Sequence, residues 1–140
     1  MRIVLDTNSL IQSIPRHSRY YAVWQSFLSG ANTLCVSNEI IEEYTEILQR
    51  LTDVETAEIV VSTIINSPFT EFVTPFFHFE MITEDRDDNK FVDCAIAAHA
   101  RYIVTNDHHY NVLKRTQYPK VDVVSINEFL YIIQSETSNT

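Results

Sequence analysis

At 140 residues the chain is long enough to bury one hydrophobic core and too short for two. Its formal net charge of -9, nineteen acidic residues against ten lysines and arginines, excludes a passive nucleic-acid coat, which needs a broad basic surface. Gly30 is the only glycine, which excludes glycine-rich phosphate loops, and no apolar run approaches the length of about 18 residues that a membrane span needs.

Met1 leads directly into an apolar run, Ile3 to Leu5, read as a buried strand; with no basic-then-apolar leader ahead of it, no secretion signal is expected. Ser9 to Ile14 read as a brief helix stopped near Pro15, and Tyr20 to Leu28 as a second helix ending at Ser29-Gly30. Thr33 to Val36 form the next strand, and Asn38 to Leu51 a strongly amphipathic helix with Ile40, Tyr44, Ile47, Leu48 and Leu51 on one face. Thr52 to Glu55 have capping-box spacing and open a helix running to about Ile65.

Glu71 to Thr74 are expected as a short strand and Pro75 to Asp87 as a loop with an acidic end. An alanine-rich helix, Asn89 to Ala100, is followed by a strand at Tyr102 to Thr105 and a short helix at Tyr110 to Leu113. A last strand, Val121 to Val124, precedes a second capping box at Ser125 to Glu128 and a helix to about Ile133. One domain over residues 1–134 is expected, with a polar, frayed tail at 135–140. Cys35 and Cys94 sit in apolar surroundings and read as buried thiols, consistent with a cytoplasmic protein.

Strands that are continuous apolar runs alternating with helices predict an α/β fold: a three-layer α/β/α sandwich around a mainly parallel sheet of about four to five strands. Ligands of such sheets bind beyond the carboxyl ends of the strands. Asp6 and Asp107 each follow a strand, and each also stands where it could simply cap a helix. Glu43 lies beside the apolar face of its helix; it either looks inward or covers apolar surface with its stem. Asp93 lies in the middle of a helix that is apolar on its other sides, so it needs a cation, a donor set or water. An arginine partner is the structural alternative. Four acids from separate elements repel one another, and a hard divalent cation relieves that repulsion. His99 and the pair His108-His109 lack a second histidine or cysteine at ligand spacing, and none is read as a metal ligand.

These residues carry a resemblance to PIN-domain proteins, in particular the toxin components of bacterial toxin-antitoxin systems, the VapC-like ribonucleases. The D-T-N opening is present as Asp6-Thr7-Asn8 after its strand. The helical acid falls within Ile40 to Tyr44 and is matched to Glu43. The D-x-x-I-A-A pattern is Asp93 to Ala98, and the T-x-D strand end is Thr105-Asn106-Asp107. The run Asp87 to Phe91 and the closing Val124 to Phe129 complete the match. The resemblance implies a metal-dependent ribonuclease with Mg2+ or Mn2+ held by Asp6, Glu43, Asp93 and Asp107. Asn8, Asp88 and Thr105 would support them. It also implies an RNA substrate, a small antitoxin partner and a homodimer.

A catalytically silent scaffold of the same fold is the competing expectation. A phosphoryl-accepting receiver needs a second acid in the first loop and a lysine after a late strand; the first loop has only Asp6, and no lysine follows Val121 to Val124. A phosphatase using Asp6 would want an aspartate where Asn8 stands. Arg16, His17, Arg19, Tyr20, Tyr21 and Trp24 form a basic and aromatic stretch suited to a protein partner or to single-stranded RNA, unless Tyr20 and Trp24 belong to the core. Among the acids of the 80s and 90s, Asp93 rather than Asp87 or Asp88 is the expected indispensable one. The latter two stand at a helix start, where a capping role suffices.

Overall fold

A computed structural model describes residues 1–117 and 119–138. Five short strands, β1 (Arg2–Leu5), β2 (Thr33–Val36), β3 (Thr70–Phe72), β4 (Tyr102–Val104) and β5 (Val123–Val124), form one sheet in the order β3-β2-β1-β4-β5. Every pairing is parallel; Ile3 stands opposite Leu34 and Tyr102, and Leu5 opposite Val104. Six α-helices cover the sheet: α1 (Thr7–Ser13), α2 (Tyr21–Leu28), α3 (Asn38–Leu51), α4 (Val54–Asn66), α5 (Asn89–Ala98) and α6 (Ile126–Ser138). Two 3-10 turns, Arg86–Asp88 and His108–Arg115, stand before α5 and after β4. This is the three-layer α/β/α sandwich expected from the sequence.

The central strands β1, β2 and β4 are apolar runs because both faces are covered: Val4, Leu5, Leu34, Cys35, Val36, Ile103 and Val104 are fully buried, while the short β3 is only partly covered. α5 packs against β1, β2 and β4, α3 against α4, and α2 against α6. Tyr44, fully buried, donates its hydroxyl to the Leu5 carbonyl (2.6 Å), docking α3 on the end of β1. Trp24 belongs to the core, while Tyr20 is half-buried and donates its hydroxyl to Asn127 Oδ1 (2.9 Å). Cys35 and Cys94 are both buried and unpaired.

The chain travels outward from β1 through β2 to β3, then returns to the other side of β1 for β4 and β5. At the β1–β4 boundary the connections leave in opposite directions, and a crevice opens at the carboxyl ends of the two strands. Asp6 follows β1 directly, and Thr105 to Asp107 follow β4 directly.

The element boundaries differ from the sequence reading where local chemistry intervenes. α4 is capped by Asp53, whose side chain accepts the Thr56 N–H (2.6 Å), rather than by Thr52. The Ser125 box forms reciprocally: Glu128 N–H donates to Ser125 Oγ and Ser125 N–H to Glu128 Oε1, both at 3.0 Å. α5 stops at Ala98 because His99 turns left-handed (φ 52°) and the Ala100 N–H returns to the Ala95 carbonyl at 2.9 Å. α6 runs to Ser138 rather than to Ile133, since neither glycine nor proline follows to stop it; Asn139 and Thr140 lie outside the described residues. Gly30 (φ 82°) is required, as a Cβ there would stand 2.6 Å from the Phe69 ring. Among the described residues no helix is long and apolar enough to cross a membrane.

Candidate metal centre

Asp6 is both a cap and a member of a cluster. Its backbone N–H extends the sheet to the Val104 carbonyl (3.1 Å), and its Oδ1 accepts the Ser9 N–H (2.8 Å), capping α1. Its Oδ2 accepts the hydroxyl of Thr105, a residue 4% exposed. The same Thr105 oxygen accepts the Asp107 N–H (3.0 Å), so one hydroxyl ties the end of β1 to the end of β4. Burial holds the Asp6 carboxyl above the ordinary aspartate range against these donors, and the negative charge of Asp107 adds to the rise.

Asp107 caps the 3-10 turn that follows it, its Oδ1 accepting the His109 N–H at 2.9 Å. The turn brings the His109 ring back beside the same carboxylate, with Nδ1 3.2 Å from Asp107 Oδ1 and 4.0 Å from Asp88 Oδ2. A cleft of about 330 Å³ opens here, lined by Asp6, Asn8, Ser9, Ile11, Asn106 and Asp107 among others. The Asn106 side chain accepts the Ile126 N–H (3.1 Å), tying the cleft wall to the start of α6.

Asp88 departs most from the sequence reading. It stands at the start of α5, yet its side chain makes no capping bond; the carboxylate that caps is Asp85, which accepts the Asp87 N–H (3.1 Å) in the preceding 3-10 turn. Its backbone carbonyl takes the hydroxyl of the fully buried Tyr110 (3.4 Å). Asp88 Oδ2 is buried without a hydrogen-bond partner among the described residues, and so is His109 Nδ1. The Asp88 carboxyl is pushed up to about 7, first by burial and then by the charges of Asp85, Asp107 and Asp6.

Glu43 borders this cluster. Its Oε2 accepts the hydroxyl of Thr7, the residue after Asp6, and its Oε1 pairs with Lys90 Nζ at 2.8 Å. Lys90 belongs to the first turn of α5, next to Asp88 and Asn89. Asn89 pins the preceding loop to the helix through a reciprocal pair with Ile82, N–H to Oδ1 and Nδ2 to carbonyl, both 2.8 Å.

Asp93 is not gathered with Asp6 and Asp107. It is 4% exposed, and its Oδ1 accepts the Phe79 N–H (3.1 Å) while its Oδ2 lies 3.4 Å from His78 Nδ1. Its charged neighbours are His78 and, repulsively, Glu39; burial raises its carboxyl above the ordinary range. It faces a separate cleft of about 310 Å³ with Val73, Pro75, Phe76, Ile96 and Ala97. The loop between β3 and α5 thus supplies Asp93 with donors, while Asp88, which makes no capping bond although it was expected to, stands beside Asp107 and His109.

A divalent cation fits the first cluster and answers its two anomalies. Buried like charges need compensation, and buried polar atoms without partners need a ligand. Two groups of side chains bring three ligand atoms within 4.8 Å of one another: Asp85, Asp88 and His109, and Asp107, His108 and His109. His109, not read as a ligand in the sequence, joins both groups: one is local, and the other brings in Asp85 and Asp88 from the turn before α5.

Comparison with known proteins agrees with this architecture. No curated protein sequence matches the chain significantly. Among solved structures, the VapBC2 structure from Rickettsia felis, bound to a DNA fragment from its promoter, shares 20% identity at a TM-score of 0.62 over 89% of this chain and 98% of that one. VapBC-1 from nontypeable Haemophilus influenzae shares 13% identity at a TM-score of 0.61, over 91% and 99%. The PIN domain endonuclease Utp24 shares 15% at 0.51, over 89% and 84%. At such identities the likeness is one of fold. The PIN domain family model matches residues 2–109, most of the chain. The chain therefore belongs to the PIN domain family.

Proposed function

We propose that the protein is a metal-dependent endoribonuclease, acting as the toxin of a toxin-antitoxin pair in the cytoplasm. The observation that carries the reading is the convergence of Asp6, Asp88 and Asp107 at the β1–β4 crevice, with buried, unpartnered atoms on Asp88 and His109. Asp6, Asp88 and Asp107 would hold the ion, with Glu43 at the border and Asn8 on the cleft wall. A bound Mg2+ or Mn2+ supplies Lewis acidity toward a phosphodiester and neutralises charge developing on it. Thr105 fixes Asp6 and Asp107 relative to each other. Lys90 pairs with Glu43 at 2.8 Å and holds that carboxylate's charge. Asp93, with its donor set satisfied, holds the loop that carries Asp88.

Incubating purified protein with structured and unstructured RNAs in magnesium, manganese or chelator tests the reading. Metal-dependent cleavage that is lost in Asp6→Asn and Asp88→Asn supports it; cleavage unchanged in both variants contradicts it.

A silent scaffold is the second reading, favoured by one contact. Glu43 is already neutralised by Lys90 at 2.8 Å, so one acid of the expected set does not need an ion. Calorimetry with Mn2+ on folded protein separates the two: saturable binding favours the nuclease, none favours the scaffold. A small antitoxin and a homodimer are proposed as partners by family likeness, and light scattering coupled to gel filtration reads the oligomeric state.

A further inference from the structure

We propose that His109 gives a ring nitrogen to the ion held at Asp88 and Asp107, and thereby biases the site toward manganese and other first-row transition ions over magnesium. The proposal rests on the metal-dependent reading above and specifies the ion. His109 is the residue common to both groups of converging ligand atoms, joining Asp85 and Asp88 in one and Asp107 and His108 in the other.

Its position is fixed by the backbone. Asp107 Oδ1 takes the His109 N–H at 2.9 Å and lies 3.2 Å from the ring Nδ1, so the capping bond itself holds the ring beside the acid. Nδ1 is nevertheless buried with no hydrogen-bond partner among the described residues, and the nearest Asp88 oxygen, 4.0 Å away, is a buried atom in the same condition. A gap of this size between a nitrogen and an oxygen is too long for a hydrogen bond, while an ion between them would satisfy both. His108, by contrast, is exposed, and its Nδ1 lies 4.0 Å from Asp107 Oδ1.

The chemistry follows from ligand softness. Magnesium prefers oxygen donors and dehydrates reluctantly, whereas imidazole nitrogen suits transition ions. A carboxylate site with one imidazole should therefore bind Mn2+ in preference to Mg2+ by more than carboxylates alone would. Neighbouring acids suit this arrangement, since a metal-ligating ring is oriented by what surrounds it.

Pulsed electron paramagnetic resonance on the full chain loaded with Mn2+ tests this directly. A nitrogen hyperfine coupling from a directly bound imidazole is expected in the unmodified protein. It should be lost in His109→Gln with Mn2+ still bound, and retained in His108→Gln and His78→Gln. Competition calorimetry should show the Mn2+-over-Mg2+ preference falling by about tenfold or more in His109→Gln. Bound Mn2+ without nitrogen coupling in the unmodified protein overturns the proposal and leaves the metal reading standing; so does a coupling that survives His109→Gln. A coupling lost in His78→Gln instead would put the ion at Asp93. No saturable Mn2+ binding at all would overturn both. Because the first readout uses the unmodified protein, a variant that fails to fold does not shield the proposal.

Discussion

Asp88 and Asp93 lie five residues apart at the start and in the middle of one helix, yet they live in opposite chemical circumstances. Asp93 is almost completely buried and provided for: a backbone N–H and a histidine ring face its two oxygens. Asp88 is more exposed and poorly provided for: one oxygen has no partner among the described residues, and desolvation, then the charges of three other acids, push its carboxyl up to about 7. Asp88 therefore carries the need that a cation would answer under the proposed function, an orphaned atom and nearby like charge, while Asp93 does not.

Exchanging one charge at each position tests the contrast most severely. Asp88→Asn should lower metal-dependent RNA cleavage by a factor on the order of 10² to 10³, the scale of removing one preorganised electrostatic group. Asp93→Asn should leave it within a few-fold, because the amide oxygen can still accept the Phe79 N–H. Initial-rate assays on the two variants, side by side, would reverse the assignment if Asp93→Asn were the silent one.

Thr105→Val breaks the hydroxyl link between Asp6 and Asp107 without touching a carboxylate. Mn2+ affinity should fall by about 10- to 100-fold, as for other residues that orient metal ligands, and calorimetry reads it. Undiminished affinity would mean that the two acids need no tie.

Asp93→Ala removes the acceptor of the part-buried Phe79 N–H. Stability should fall by about 1–3 kcal/mol in denaturant titration, with cleavage at saturating metal retained. His78→Gln, at a side chain 67% exposed, should change stability by less than about 0.5 kcal/mol.

The pH dependence reads the raised carboxyls of Asp88, Asp6 and Asp93 together, with Asp88 raised to about 7. With the folded Asp88 carboxyl at about 7 and its ordinary value at 3.8, the folded state alone holds a proton between those values. Metal-free protein should therefore lose stability as pH rises from about 4 to about 7, and Asp6, raised in the same direction, adds to the loss. Mn2+ binding expels that proton, so affinity should climb over the same window and level above pH 7. Melting temperatures against pH should thus slope in opposite directions in chelator and in Mn2+, and Asp88→Asn should reduce both slopes, leaving the part that Asp6 and Asp93 contribute.

Much of this was legible before the fold was known. β2 and α3 fall on the residues that apolar runs and helical periodicity marked, and Ser125 and Glu128 make the reciprocal cap that their spacing implies. Asp6, Thr105 and Asp107 were legible as a group because short strands ending at one sheet edge leave their next residues together. The loop from Val73 to Asp85 was not. Its path depends on Asn89 gripping Ile82 and on Asp93 taking the Phe79 N–H, contacts between residues whose distance no periodicity encodes. That path decides which acid turns inward, and with it the places of Asp88 and Asp93. The approach of His109 to Asp88, as distinct from its neighbour Asp107, was hidden for the same reason.

A crystal soaked in Mn2+ and measured near the manganese absorption edge tests the central assignment most directly. An anomalous peak among the carboxylates of Asp6, Asp88 and Asp107 and the ring of His109, with Asp93 still bonded to the Phe79 N–H, is the expected result. A peak between Asp93, His78 and Glu39, with the β1–β4 crevice empty of density, would contradict it.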